Sequence, residues 1–177
     1  MANICTHSLP QKMTHFYEMI NVFYIPFQKT RHSEAESWFA KANRTAPNDP
    51  EVHLHFGLFL MDVERNLEAA QEFAKAVELK PDDYESTFNA GVAYRQAGRN
   101  PEAERYYRKA VKLRPQDASS HMNLGAMLHL VGKLPEAEDH YFQALKLRPS
   151  DQNTVINIQR LHRAMASKGL PIKHSLN

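Results

Sequence analysis

Cysteine and glycine are scarce in this chain, and each shortage excludes a kind of site. Cys5 is the single cysteine among 177 residues, which rules out an internal disulfide framework and any cysteine-based zinc finger. Six glycines are too few to favour the glycine-rich loop that cradles phosphate groups in nucleotide-binding proteins. We therefore expect neither a disulfide-stabilised scaffold nor a phosphate-binding loop.

An excess of one charge and a long apolar run are also missing. The chain has 22 lysines and arginines against 20 aspartates and glutamates, a balance that argues against a strongly electrostatic binder of nucleic acids or membranes. No apolar run approaches the roughly 20 residues that a membrane-spanning helix needs. Residues 1–30 lack the order of a secretory signal. The sequence alone predicts a soluble protein without a targeting segment.

Proline is abundant, and its spacing gives the first positive indication of a fold. Of the ten prolines, four recur every 34 residues, and four further columns keep the same step. The five columns are Pro47, Pro81, Pro115 and Pro149; Gly57, Gly91 and Gly125; Ala69, Ala103 and Ala137; Phe39, Phe73, Tyr107 and Tyr141; and Ala42, Ala76, Ala110 and Ala144. This period and these residue types resemble the tetratricopeptide repeat (TPR). Its tryptophan column is lost, because His53, Thr87 and His121 stand there.

Each column has a physical reason in a TPR unit, which pairs an antiparallel helix A and helix B. Glycine on helix A and alanine on helix B allow close packing, and the aromatic residue four positions after the alanine fills the adjacent space. Gly98 and Gly132 are predicted to end helix A in a left-handed turn. The repeat-ending prolines end helix B. Four aspartates are predicted to cap the following helix A: Asp49, Asp83, Asp117 and Asp151.

The predicted fold class is therefore all-α, a TPR α-solenoid of antiparallel helix pairs with a C-terminal capping helix. The array is predicted over residues 31–166, as a half repeat at 33–49, complete repeats at 50–83, 84–117 and 118–151, and a closing helix at 152–166. The half repeat is a helix B whose start is marked by a capping box of Ser33 and Glu36. The closing helix would cover the last apolar face. Residues 167–177 are predicted to form a flexible tail.

Residues 1–30 fit the array less well. Apolar residues recur there at three- and four-residue steps, as on one helix face: Met13, Phe16, Ile20, Phe23 and Phe27. However, Phe23 would occupy the glycine column and Pro26 would break the helix. One interpretation is an atypical capping helix over the exposed side of Trp38 and Phe39. The other is that this segment is not native to the array, as in a truncated or misassembled gene model. An array that opens on helix B looks like part of a longer protein.

Three columns of helix A predict a peptide-binding groove on the concave side of the stack. Position 6 holds His55, Asn89, Asn123 and Asn157; position 5 holds Leu54, Phe88, Met122 and Ile156; position 9 holds Leu58, Val92, Ala126 and Arg160. Position 6 resembles the asparagine ladder of superhelical TPR proteins. A carboxamide offers a donor and an acceptor, which match the backbone of an extended peptide, and the apolar columns would take its side chains. The alternative is that asparagine is simply common at this position.

A groove of this composition does not resemble the chaperone-tail clamp of co-chaperone TPRs. That clamp needs lysine and asparagine on the first helix A and lysine and arginine on the third. Those places hold Leu54, Leu58, Ser119 and Asn123 here, and only Asn89 fits. A groove lined mainly by apolar side chains cannot bind a C-terminal carboxylate with two parallel hydrogen bonds.

Catalytic, metal and cofactor sites are not predicted. His53 and His55 point to different sides of a helix, and His121 and His129 lack a third ligand. No Ser–His–acid grouping follows from the repeat columns. The helix B segment between Arg99 and Arg114 is basic but predicts a solvated face, and a reader of RNA would need polar groove residues. The predicted partner is a protein or extended peptide, with no nucleic acid, small-molecule substrate or cofactor.

Two runs resemble a particular family. The segments from Asn89 to Arg99 and from His121 to Leu130, with the ending from Asn157 to Leu170, are similar to the C-terminal repeats of the transmembrane and TPR-containing family. The resemblance covers roughly residues 31–170. It implies the lumenal, acceptor- or partner-binding part of an endoplasmic reticulum protein similar to O-mannosyltransferases. The family's catalytic acidic residues belong to a membrane domain, so no catalytic residue transfers to this chain.

The alternative is a free-standing cytosolic TPR adaptor, which agrees with the lack of a targeting segment. The sequence Asn43-Arg44-Thr45 is an N-glycosylation sequon. It matters only if the array faces a secretory lumen.

Overall fold

Residues 32–176 are described by this computed structural model, apart from the side chain of Glu34, and they form helices without any strand. The helices are α1 (His32–Thr45), α2 (Pro50–Asp62), α3 (Asn66–Leu79), α4 (Tyr84–Gln96), α5 (Asn100–Leu113), α6 (Ala118–Leu130), α7 (Leu134–Leu147) and α8 (Gln152–Ser167). The predicted all-α class is confirmed. Helices α2, α4 and α6 are the A helices, α1, α3, α5 and α7 are the B helices, and the closing helix α8 takes the place of a further helix A. Both interpretations of residues 1–30 concern a segment outside the described residues.

Helices A and B meet where a glycine faces an aromatic ring. A Cβ atom built on the glycine would lie 2.7 Å from a ring carbon in the first repeat and 2.8 Å from one in the other two. The facing pairs are Gly57 and Phe73, Gly91 and Tyr107, and Gly125 and Tyr141. Ala69, Ala103 and Ala137 are completely buried on the B helices. The glycine, alanine and aromatic columns therefore meet one shared steric requirement, the close packing of helix A against helix B.

The turn from helix A to helix B is left-handed in all three repeats. Gly98 has a φ of 73° and Gly132 a φ of 81°, as predicted. The first repeat lacks this glycine, and Glu64 takes the same turn with a φ of 61°. Because side chains other than glycine rarely adopt this conformation, the first repeat carries a strain that the others avoid.

The predicted aspartate caps are confirmed. The carboxylate of each accepts a hydrogen bond from a backbone N–H of the first turn of the following helix, at 2.6 to 3.2 Å: Asp49 from Glu51, Asp83 from Ser86, Asp117 from Ser120 and Asp151 from Asn153. The predicted capping box is not seen, because α1 begins at His32 and so contains Ser33. Glu36 instead accepts a hydrogen bond from Arg65, across the junction of α1 with the first repeat.

Two clusters of buried side chains make up the core, and the α4–α5 pair takes part in both. One cluster draws on α2 to α5 and the other on α5 to α8, with Tyr94 of α4 packed against both. Ile158, Leu161 and Met165 of α8 are completely buried, as a closing helix requires. Within residues 32–176, no helix is both long enough and apolar enough to cross a membrane.

The segment after α8, for which the sequence predicts a flexible tail over 167–177, turns back onto α7 in its described residues, which end at 176. The completely buried carboxylate of Glu138 accepts backbone hydrogen bonds from Lys173 at 3.1 Å and His174 at 3.0 Å. Lys173 also forms an ion pair with Asp139 at 3.0 Å. Leu170 and Leu176 pack against the second core cluster. A buried carboxylate needs such donors, so this segment satisfies Glu138.

Candidate functional site

The residues predicted to line the groove lie at equivalent places on α2, α4, α6 and α8. We call the surface formed by positions 5, 6 and 9 of these helices the groove face. Most of its members are half-buried: His55, Asn89, Asn123 and Asn157 at position 6, Phe88 and Met122 at position 5, and Leu58, Val92 and Ala126 at position 9. Such side chains are held by the core and still present surface to a ligand.

Three members of the groove face differ from the rest: Arg160 is exposed, and Leu54 and Ile156 depart in opposite directions. Leu54 is only 5% exposed and belongs to the first core cluster, so it offers a ligand almost no surface. Its contact with a peptide stays a prediction from the sequence. Ile156, at the same position of α8, is 43% exposed. The apolar column therefore becomes more accessible toward the C-terminal end of the array.

The asparagine carboxamides differ in whether they form hydrogen bonds within the protein. The amide nitrogen of Asn123 donates to the backbone carbonyl of Ser119, one turn earlier in α6, at 2.9 Å. Within residues 32–176, the side chains of Asn89 and Asn157 have no hydrogen-bond partner. Asn89 and Asn157 can therefore offer both a donor and an acceptor, whereas Asn123 keeps its oxygen and one amide hydrogen.

Charges on the A helices are unevenly distributed. Glu51, Asp62 and Glu85 lie on α2 and α4, whereas α6 and α8 contain no aspartate or glutamate. Arg95 of α4 donates from Nε to the Tyr107 hydroxyl at 3.3 Å. Burial raises the pKa of Tyr141 to about 12, and the nearby Arg160 guanidinium opposes that rise. The surface of the A helices thus runs from acidic at its N-terminal end to basic at its C-terminal end.

Position 12 continues this trend. It holds Met61 in the first repeat, Arg95 in the second, His129 in the third and Arg163 in α8. Burial lowers the pKa of His129, so its imidazole is uncharged at neutral pH. The sequence prediction named positions 5, 6 and 9 and did not use this column. The arginines at 34-residue multiples could have identified it.

The histidines that stand at the tryptophan position of the repeat have a structural role that the sequence did not indicate. In the first repeat, Nδ1 of His53 lies 2.7 Å from a Glu72 oxygen and Nε2 lies 2.9 Å from the carbonyl oxygen of Pro47. In the third repeat, Nδ1 of His121 lies 3.0 Å from Nδ1 of His140 and Nε2 lies 3.1 Å from the Pro115 carbonyl. Each histidine ties helix A to its own helix B and to the end of the preceding repeat.

No metal centre is found among the described residues, since no three histidine, cysteine, aspartate or glutamate side chains come together there. The basic segment of α5 is partly neutralised. Arg108 binds Glu104, as expected from their spacing, and also Glu136 of α7 at 2.6 Å. Lys133 reaches Glu104 at 2.7 Å. This surface links two repeats and leaves the groove face as the candidate site.

Comparison with known proteins identifies the repeat. The family model of the tetratricopeptide repeat matches residues 56–118 and 93–152. A comparison with curated proteins finds no match.

Three solved structures illustrate the likeness of fold. MamA (41-end) from Desulfovibrio magneticus RS-1 is 17% identical, with a TM-score of 0.80 over 92% of this chain and 90% of that one. Another MamA structure is 22% identical, with a TM-score of 0.73 over 80% and 76%. The first TPR of Spaghetti (RPAP3), bound to the HSP90 peptide SRMEEVD, is 22% identical, with a TM-score of 0.63 over 66% and 93%. Identities this low show the fold alone.

Proposed function

The chain belongs to the tetratricopeptide repeat family, and on that premise we propose that its groove face binds an extended segment of a partner protein. The observation that carries the proposal is the row of half-buried carboxamides on successive helices, Asn89, Asn123 and Asn157. An extended peptide has unpaired backbone donors and acceptors, and a carboxamide can satisfy one of each. Stacked repeats form an extended concave surface of the length that such a ligand needs.

The side chains next to the carboxamides fit the same ligand. Phe88, Val92 and Met122 pack against the core with part of each side chain accessible. A peptide side chain that covers them would gain roughly 25 cal/mol for each Å² of apolar surface removed from water. The RPAP3 structure supports the class of ligand, because that TPR domain is bound to a peptide. We propose no catalytic role for this chain.

The test selects ligands from a library of random peptides displayed on phage and measures the best binders by calorimetry. In the Asn89→Ala/Asn123→Ala variant, each lost hydrogen bond should cost about 1 kcal/mol. Together they should raise Kd roughly thirtyfold, with an unchanged melting temperature. A matched control, Gln71→Ala/Gln116→Ala, removes two exposed amides on α3 and in the loop before α6 and should leave Kd unchanged. Unchanged affinity in the asparagine variant, or a loss that follows a lower melting temperature, would contradict the proposal.

We further propose, from the resemblance over residues 31–170, that the array is the lumenal partner-binding part of an endoplasmic reticulum O-mannosyltransferase-like protein. The support for this context is that sequence resemblance alone, and a free-standing cytosolic adaptor is the alternative. Sequencing of full-length transcripts separates the two. Hydrophobic spans encoded upstream in frame favour the membrane protein, and a start codon directly preceded by a stop codon favours the adaptor.

Glycosylation gives a second measurement of placement. Asn43 is half-buried in the last turn of α1. In a lumenal array, glycosidase treatment should shift the mass of the full-length protein, and Asn43→Gln should abolish the shift. A lumenal sequon can stay unmodified. If no mass shift is found, protection of the array from protease in intact microsomes indicates lumenal placement. Digestion without detergent would contradict the lumenal placement.

A further inference from the structure

We propose that the C-terminal end of the groove face receives an acidic segment of the bound partner, held by Arg95, Arg160 and Arg163. We call these three residues the arginine strip. The inference rests on the proposed function, since it names the chemistry of the peptide that the groove would bind. It concerns an acidic stretch within a chain and does not require a free C-terminal carboxylate.

The arginine strip lies where the repeat columns change from apolar to basic. At position 9, Leu58, Val92 and Ala126 are followed by Arg160, and at position 12, Met61 is followed by Arg95 and later by Arg163. All three arginines are exposed. Residues three apart on a helix are neighbours. Arg160 follows Asn157 by three residues, Arg163 follows Arg160 by three, and Arg95 follows Val92 of the groove face by three, so the strip adjoins the groove face.

The arginines of the strip are available to a ligand, whereas five arginines elsewhere on the array have partners within the protein. Arg65, Arg99 and Arg108 each bind at least one glutamate, and Arg105 and Arg114 lie over tyrosine rings. Within the described part of the chain, no arginine of the strip pairs with a carboxylate. Arg95 donates only to a neutral acceptor, the Tyr107 hydroxyl.

Among the described residues, the surroundings of Arg160 and Arg163 hold no uncommitted carboxylate that could neutralise them. Helices α6 and α8 contain no acidic residue. The acidic residues that flank α8 in the structure are already committed: Glu138 and Asp139 to the returning C-terminal segment, and Asp151 to the cap of α8. A guanidinium binds a carboxylate with two parallel hydrogen bonds. Because these arginines have no carboxylate partner within the described residues, a carboxylate of the ligand is the group that fits them.

The geometry sets the spacing and direction of the acidic segment. Packed helices stand on the order of 10 Å apart, and an extended chain advances about 3.3 Å per residue. Arg95 on α4 and the two arginines on α8 are separated by α6, so carboxylates about six residues apart would reach both ends of the strip. Met122 and the exposed Ile156 adjoin the strip, so an apolar residue beside the acidic ones has a place to bind. Glu51, Asp62 and Glu85 repel acidic residues from the other end.

The test compares two selections from the same library of random peptides with amidated C-termini. Wild-type protein should enrich peptides with aspartate or glutamate beside an apolar residue. The Arg160→Gln/Arg163→Gln variant should still enrich binders but lose the acidic bias. A wild-type-selected acidic peptide should bind this variant at least tenfold more weakly, and its affinity for wild type should fall with added salt. The matched control Lys109→Gln/Lys112→Gln removes two positive charges from α5 and should leave binding unchanged.

A double-mutant cycle isolates the contact. Glutamine in place of the peptide's acidic residues should weaken binding to wild type and cause no further loss in the arginine variant. Peptides that bind without acidic bias, with affinity unchanged in Arg160→Gln/Arg163→Gln, would overturn the inference and leave the proposed function standing. Failure to enrich any peptide sensitive to Asn89→Ala/Asn123→Ala would overturn the proposed function itself. Single-stranded RNA that binds more tightly than every selected peptide would assign the strip to nucleic acid and also overturn the inference.

Discussion

Glu64 takes a left-handed backbone conformation that the next two repeats leave to glycine. Its φ of 61° matches those of Gly98 and Gly132, and a Cβ atom makes this conformation cost roughly 1–2 kcal/mol. Glu64→Gly should therefore stabilise the array by about 1 kcal/mol once the greater freedom of glycine in the unfolded chain is subtracted. Urea unfolding measures the change. Glu64→Ala is the control, because it removes the charge and keeps the Cβ atom. An equal gain from both substitutions would show that strain is not the cause.

The His121–His140 pair should make the third repeat sensitive to mild acid. Burial and the neighbouring His121 lower the pKa of His140, with opposite, weaker effects from Glu136 and Asp139 and a same-sign effect from Arg108. The folded protein then binds fewer protons than the unfolded chain, whose histidines have a pKa of about 6.5. Stability is therefore full above pH about 6.5 and is lost as the pH falls below it. Chemical unfolding at a series of pH values from 5 to 8 measures this loss.

The first repeat supplies the control for that prediction. Glu72 occupies the place of His140 there and lies 2.7 Å from His53. His140→Glu should give His121 the carboxylate partner that His53 has in the first repeat, so the loss of stability in mild acid should disappear. His140→Gln should flatten the pH dependence. His129, whose pKa burial also lowers, is kept in every variant, so an unchanged slope in His140→Gln would exclude the pair as the source.

At the scale of the helices, the sequence predicts those features that depend on residues close together along the chain. Aspartate caps and the glycine turns at Gly98 and Gly132 act within a few residues, so their columns placed the helix ends correctly. The exposed fraction of a side chain depends on tertiary contacts that the repeat columns do not indicate. The burial of Leu54 and the exposure of Ile156 therefore could not be predicted. The groove residues could be placed on the right helices, but the free arginines were recognisable only once the ion pairs elsewhere were known.

The sequence does not indicate where the C-terminal segment is held, because its anchor is far away along the chain. Glu138 has the backbone N–H groups of Lys173 and His174 as donors, 35 and 36 residues on, and His162 lies 3.2 Å from the same carboxylate. Glu138→Leu should leave those N–H groups unpaired and release the segment, at a cost of about 1–3 kcal/mol. Hydrogen exchange should rise in residues 170–176 and at the end of α8.

A control for this prediction removes an exposed acid next to the buried one. Asp139→Leu deletes the ion pair with Lys173, in which both side chains are about half exposed, and such pairs contribute about 0–1 kcal/mol. Exchange in residues 170–176 should rise far less than in Glu138→Leu. Equal exchange in wild type and Glu138→Leu would show that the carboxylate does not hold the segment.

At the scale of the whole molecule, stability is transmitted through the α4–α5 pair. A repeat array is stabilised mainly by contacts between neighbours, and this pair contributes to both core clusters, with Tyr94 packed against each. A side chain added at Gly91 would press on the Tyr107 ring at 2.8 Å. Overpacking of this kind costs roughly 1–3 kcal/mol. Gly91→Ala should therefore weaken both clusters at once.

The matched variant is Gly57→Ala, which places the same clash 2.7 Å from Phe73, a residue of the first cluster only. Hydrogen exchange followed by mass spectrometry should show faster opening of α2–α8 in Gly91→Ala. In Gly57→Ala the acceleration should be confined to α1–α4, with α6–α8 unchanged. If the two variants opened the same helices, the array would unfold as one unit. Arg160 and Arg163 on α8 would then share their stability with the first repeat, which lies at the other end of the array.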